Sequence, residues 1–297
     1  MEHNYELYID RIRQTAGSDP EQIESVSGGL SAADKFKVRC IGADWMAKFV
    51  PGTPLRLRWY QELENRSSDQ MANPKHFRLF EDGTLCLLSP WIEGTSLQEH
   101  LSSAEPEMLC SYGEQAAQIL LQLHRVPFDY PSCTQQLQQR VIHACSLAQK
   151  LGLRFPHREE ICRYLADAAN RFEIVRPCFV HKDIRPENFI VHENRVYLID
   201  FDNGGLGEPA ADFSYLTTMG GADQFPFAGE VLKSYLPQAD AGDFWEKNLF
   251  YSTLQVLEYG IWKYQSRGRQ MRLQAENLWE LYNGLTECIP AWMRNTY

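Results

Sequence analysis

The chain has 297 residues, 44% of them hydrophobic and 23% charged, with a formal net charge of −10 and a pI near 5.3. That length supports one large domain or two lobes with substantial cores. The acidic balance argues against a general nucleic-acid or anionic-membrane binder, which carries a basic face, and no apolar run approaches the roughly 20 residues that span a bilayer.

The start, "MEHNYELYIDRIRQTAG", is polar, reads as a helix over residues 3–15 and has no secretory apolar region. The expected setting is therefore soluble and cytoplasmic. Residues 23–51 read as three strands broken by the turns "SGGLSAAD" and "IGAD". Residues 53–65 have helical spacing, with Leu55, Leu57, Trp59 and Leu63 as apolar contacts. The runs "HFRLF" and "TLCLLS", joined by "EDG", form a hairpin signal. After "PWIEGTSL" the chain turns helical over 97–175, where positions 109, 116, 119, 120 and 123 repeat at helical spacing. One strand pair interrupts it, and helices return from residue 210. The expected fold is α+β, with a small β-rich lobe over 1–90, a hinge near 89–94 and a larger mainly helical lobe over 91–297. Eight scattered cysteines, without a CxxC or a Cys/His cluster, lack zinc-site spacing and read as reduced thiols.

The strand pair lies in "HKDIRPENFIVHENRVYLIDFDN", residues 181–203. Asp183 and Asn188 are five apart across "IRPE", and Pro186 opposes a continuous helix there. Asp200 follows Asn188 by twelve positions, a separation suited to a hairpin returning to the same edge. Such a return brings one amide and two carboxylates to one mouth. Magnesium takes a few oxygen ligands together with phosphate oxygens and water, which suits Asn188 and Asp200. Asp183 is left to accept a proton from a substrate hydroxyl. The bland alternative is a hairpin with polar ends facing water.

The segment "HKDIRPENFIV...YLIDFDNGGLGEPAADFSYL" resembles the catalytic motif of the aminoglycoside phosphotransferase and choline kinase family, relatives of the protein kinases. The resemblance implies a two-lobed protein-kinase-like fold and transfer of the γ-phosphate of ATP or GTP to a hydroxyl. It makes Asp183 the catalytic base and Asn188 and Asp200 the Mg²⁺ ligands. Asp202 fits either a second ion or a solvated strand-end charge. Arg185 fits either a cation on the transferred group or a surface arginine. His181 reads as structural, and Lys182 as surface charge.

There is no P-loop pattern. The family resemblance instead assigns the phosphate-covering loop to "SGGLSAAD", with Ser27, Gly28, Gly29 and Ser31, although a simple hairpin turn has the same composition. It assigns Lys48, in "WMAKFVP", to the α and β phosphates, with Glu62 as its orienting carboxylate. Glu64 would face about 160° away on the same helix. "LLSPWIEG" resembles the adenine-gripping hinge, with Pro90 offering a carbonyl and Ile92 an N–H. Asp212 follows Asp200 by only twelve positions, too few for the activation segment of a protein kinase, so the resemblance points to a small-molecule kinase. In residues 243–265, Phe250, Leu254, Leu257 and Ile261 form a core stripe. Tyr251, Gln255, Glu258 and Trp262 share the adjacent face, where Tyr251, Glu258 and Trp262 could hold a cationic acceptor or form an amphipathic edge. The acceptors that fit are an aminoglycoside-type antibiotic, choline, an amino alcohol or a sugar. A non-catalytic nucleotide-binding protein is the alternative from another class.

Overall fold

The computed structural model describes residues 2–26, 34–65, 68–125, 134–172, 177–218, 224–239, 242–267 and 272–294. Its contacts group into two units, one made of 1–97 with 187–205 and the other of 98–186 with 206–297. The hairpin segment, expected with the helical lobe, thus packs with the strand-rich one.

In the first unit, α1 (Glu2–Ala16) precedes β1 (Gln22–Ser25), β2 (Asp34–Cys40) and β3 (Ala43–Pro51). Then follow α2 (Pro54–Glu64), β4 (His76–Leu79), β5 (Thr84–Pro90) and the short β6 (Thr95–Ser96). The five longer strands form an antiparallel sheet in the order β1-β2-β3-β5-β4. Alternation along β2 buries Phe36, Val38 and Cys40, which meet Ala47, Phe49, Cys86 and Leu88 from β3 and β5 and Ile12 from α1. Thr53 caps α2 by accepting the Arg56 N–H at 3.1 Å, and Pro54 sits in the first turn, where its missing N–H costs nothing. The buried face of α2 carries Tyr60 and Leu63.

The same unit holds the hairpin of β8 (Phe189–His192) and β9 (Arg195–Leu198). Its turn residues, Glu193 and Asn194, both have positive φ (48° and 62°), as a two-residue turn of this handedness requires. β6 extends this pair into a three-stranded sheet. The backbone of Gln70 and Ala72 is hydrogen-bonded to Leu198 at 2.9 Å on either side, tying the hairpin to the segment after α2.

The second unit contains α3 (Leu97–His100, whose first residue belongs to the other unit), α4 (Pro106–His124), α5 (Thr134–Lys150), α6 (Arg158–Ala169) and β7 (Cys178–Val180). After the hairpin come β10 (Gly205–Gly207, whose first residue belongs to the other unit), α7 (Pro209–Asp212), α8 (Ser214–Thr218), α9 (Phe225–Tyr235), α10 (Phe244–Arg267) and α11 (Arg272–Leu281). β10 pairs with β7. The expected helical stripe of α4, Leu109, Ala116, Ile119, Leu120 and Leu123, is buried. So is the α10 stripe of Phe250, Leu254, Leu257 and Ile261, but Leu249, Tyr251, Ser252, Thr253 and Val256 are buried too. The central turns of α10 are therefore a core helix on most of their circumference. No helix among the described residues is long and apolar enough to cross a membrane, and the seven cysteines among them are unpaired.

Candidate active site

A cleft of about 330 Å³ lies wholly within the first unit. Met46, Leu87, Pro90, Ile92, Ile190 and Ile199 make its apolar walls, while Lys35, Lys48, Asp200 and Asp202 supply charge. Pro90 and Ile92, the residues of the hinge reading, both line it. Pro90 pairs with Trp45 at the end of the ladder, and the next N–H, of Trp91, donates to the Asp44 carbonyl at 3.0 Å. Gly94 closes the cleft near β8 at φ 134°, and a Cβ there would stand 2.3 Å from the Val191 carbonyl oxygen, so only glycine fits.

Lys48 is buried, and its ammonium donates to both Asp200 and Asp202, the latter at 2.9 Å. Asp200 has a positive φ of 70° and opens a single 3-10 turn over Phe201–Asn203, which carries Asp202 back towards the same lysine. Tyr60 Oη donates to the Phe201 carbonyl at 3.1 Å, so α2 fixes this turn. Tyr60 and Leu63 occupy the buried face of α2, which leaves Glu62 exposed. The structure thus gives Lys48 two aspartates as partners, where the sequence suggested Glu62. Asn188 is buried in a 3-10 turn at Pro186–Asn188, and its carbonyl accepts the Ile199 N–H at 2.9 Å.

No cluster of three or more His, Cys, Asp and Glu side chains able to hold a metal occurs among the described residues. The donor set nevertheless suits magnesium, which is held by one or two carboxylates and completed by phosphate oxygens and water. Asp200 and Asp202 already converge on one cation, the Lys48 ammonium, and Asn188 adds an amide oxygen donor nearby in sequence.

Lys35 was not singled out from sequence, where a lysine in "DKFKV" looks like the solvated face of a strand. It stands directly opposite Lys48 in the β2–β3 register and lines the cleft. Burial holds its pKa below the usual lysine value, and the charge of Lys48 adds to the effect. Ser27, Gly28, Gly29 and Ser31 lie outside the described residues.

In the second unit, the loop carrying Asp183 is held by one carboxylate. Buried Asp212 accepts the backbone N–H of His181 at 2.8 Å and of Lys182 at 2.6 Å, and its Oδ2 lies 3.0 Å from His124 Nε2. His124 Nδ1 in turn lies 2.7 Å from the Tyr235 hydroxyl. Lys182 adopts a positive φ of 67°, a conformation these hydrogen bonds hold in place. Arg185 pairs with Asp183 at 3.3 Å.

A second cavity, of about 290 Å³, lies wholly within this unit, and Tyr251, Glu258 and Gln255 line it together with Arg140 and Lys182. Trp262 is not among its lining; it is part-exposed and packs on Tyr259 at 5.6 Å between ring centroids. The aromatic-and-carboxylate face suggested by α10 is therefore divided. The Tyr251 hydroxyl is buried and donates to Glu208 at 2.9 Å, and burial raises its pKa well above the usual tyrosine value. Arg140 donates twice to Glu258, at 2.6 and 2.5 Å.

Residues 27–245 match the model of the phosphotransferase enzyme family, APH. The match spans most of the chain, and the protein belongs to this family of phosphotransferases. It is a small-molecule kinase with the α+β, protein-kinase-like fold. No curated protein compared with it matches the chain. Among solved structures, the gentamicin complex of APH(2'')-IIa is 22% identical, covers 94% of this chain and 97% of its own, and has a TM-score of 0.63. ADP-bound aminoglycoside phosphotransferase APH(2'')-Ib is 22% identical over 91% and 95%, with a TM-score of 0.61. Spectinomycin phosphotransferase APH(9)-Ia, in complex with ADP and spectinomycin, is 12% identical over 92% and 92%, at 0.59.

Proposed function

We propose that the protein transfers the γ-phosphate of ATP or GTP, with Mg²⁺, to a hydroxyl of a small molecule. The observation that carries this reading is the buried Lys48 shared by Asp200 and Asp202 at the charged end of an apolar cleft. Lys48 and Lys35 bind the nucleotide phosphates, and Pro90 and Ile92 present a carbonyl and an N–H to the base. Asn188, Asp200 and Asp202 would hold magnesium, which neutralises phosphate charge when bound. Asp183 orients the acceptor hydroxyl and takes its proton, and Arg185 steadies the Asp183 carboxylate or the transferred group. Neighbours bound to ADP, to gentamicin or to spectinomycin support a nucleotide donor and a small acceptor. An enzyme using ATP or GTP works where those nucleotides are, so the cytoplasm is the proposed compartment.

The test is phosphate transfer by purified Asp183→Ala and Asp200→Asn proteins whose melting curves match the wild type. Both should lose at least about 10²–10³ in turnover, and Asp183→Ala should still bind nucleotide. Transfer retained in Asp200→Asn would refute the reading.

A further inference from the structure

The cavity of the second unit carries a charge pattern that selects among acceptors. Its only lining carboxylate among the described residues, Glu258, is already engaged by two hydrogen bonds from Arg140. Two cations, Arg140 and Lys182, line the same space. The neighbouring carboxylate of Glu208 sits behind the Tyr251 hydroxyl and is paired with Lys247 at 2.6 Å, so it offers no open negative charge. An ammonium group entering here meets the Arg140–Glu258 ion pair, neutral as a unit, together with the Lys182 cation, and finds no unpaired carboxylate. A polyamine gains no compensating carboxylate there for any of its ammonium groups.

What the cavity does offer is hydrogen bonding. Gln255 Oε1 is buried at its wall and has no partner among the described residues. A buried acceptor without a donor is costly, and a ligand hydroxyl would satisfy it. Arg140 has further N–H donors besides the two given to Glu258. Leu137, Val180 and Leu206 provide the apolar wall a ring needs. At about 290 Å³ the cavity lies at the small end of ligand sites, which run roughly 300–1,000 Å³. That suits one ring better than the several rings of an aminoglycoside. Lys182 immediately precedes Asp183, so the cavity opens beside the loop bearing the proposed base.

We infer that this cavity receives the acceptor and that the acceptor is an uncharged polyol of about one sugar ring, with a hydroxyl donating to Gln255 Oε1. This rests on the phosphotransferase reading above. In the transfer, the acceptor oxygen forms a bond to the γ-phosphorus while the bond from that phosphorus to the β–γ bridging oxygen breaks. The nucleoside diphosphate leaves with the electron pair, and the hydroxyl proton passes to Asp183.

The experiment measures nucleoside diphosphate release by the full chain with Mg²⁺ and ATP or GTP, against two acceptor sets. One contains uncharged polyols (glucose, galactose, methyl glucosides, myo-inositol); the other contains kanamycin and gentamicin. Turnover above the acceptor-free rate is expected with at least one polyol and with neither polyamine. Gln255→Leu should then raise KM for that polyol about tenfold, the loss of one hydrogen bond to a buried acceptor, with kcat nearly unchanged. Arg140→Gln, which releases the Glu258 carboxylate, should make kanamycin a competitive inhibitor of polyol phosphorylation. Wild-type turnover of kanamycin or gentamicin overturns the inference, and so does inertness of every polyol. In that last case a Mg²⁺-dependent rise in melting temperature with ATP or GTP separates the two failures. If the rise is present, only the acceptor class is wrong; if it is absent, the phosphotransferase reading falls as well.

Discussion

Lys35 and Lys48 face each other across β2 and β3, two ammonium groups turned to one cleft. Lys48 is compensated by two aspartates; Lys35 is held below its ordinary pKa by burial and by Lys48. A lysine whose folded pKa is depressed opposes folding while it is charged, and that penalty fades as pH rises from its folded towards its unfolded pKa. Lys35→Met should therefore stabilise the nucleotide-free protein at neutral pH by about 0.2–1 kcal/mol, the scale of a like-charged cross-strand pair. The same variant should weaken nucleotide binding, so a melting curve without ligand and a titration with ATP or GTP should move in opposite senses. Asp212 presents the reverse case, one buried carboxylate serving two backbone N–H groups and a histidine. Asp212→Asn turns one acceptor oxygen into an NH₂ donor facing those groups. It should cost about 1–3 kcal/mol in urea unfolding and lower kcat by releasing the Asp183 loop.

At the scale of elements, the three-stranded sheet depends on one glycine. β6 can approach β8 only because Gly94 has no side chain: a Cβ would meet Ile190 at 2.9 Å and the Val191 carbonyl oxygen at 2.3 Å. Gly94→Ala should part β6 from β8, destabilise the protein by about 1–3 kcal/mol and abolish the melting shift with nucleotide. The elements themselves were largely legible. The hairpin of β8 and β9 stood out because its apolar runs and its "HEN" turn are contiguous, and the α4 stripe because its period is local. The partners were not. Lys48 meets Asp202 across 154 positions, Arg140 meets Glu258 across 118, and Tyr251 meets Glu208 across 43. A periodicity assigns a residue to a face; it does not say which side chain waits opposite. That is why the sequence suggests Glu62, a reasonable carboxylate on a nearby helix, for a lysine whose two aspartates follow the hairpin, and why it puts Tyr251 on a face of α10 without showing that its hydroxyl meets Glu208.

For the whole molecule, the nucleotide site proposed in the charged cleft predicts that nucleotide is a stabilising ligand. At a hundredfold excess over Kd, ATP or GTP with Mg²⁺ should add about 2.7 kcal/mol to the unfolding free energy, and a chelator should remove both this gain and phosphate transfer. The first unit is also discontinuous, for its residues 1–97 are joined by 187–205. Leu198 ties to the segment after α2, Phe201 receives the Tyr60 hydroxyl, and Asp200 and Asp202 neutralise Lys48. A fragment ending at residue 97 lacks all of these. During synthesis the nascent chain must therefore extend about 90 residues past α3 before its opening strands find their last partners. The lysine of the cleft remains uncompensated until the ribosome has released the "DFD" tripeptide, so the first lobe to be translated must wait for residues 98–186 of the other to be made before it can finish folding.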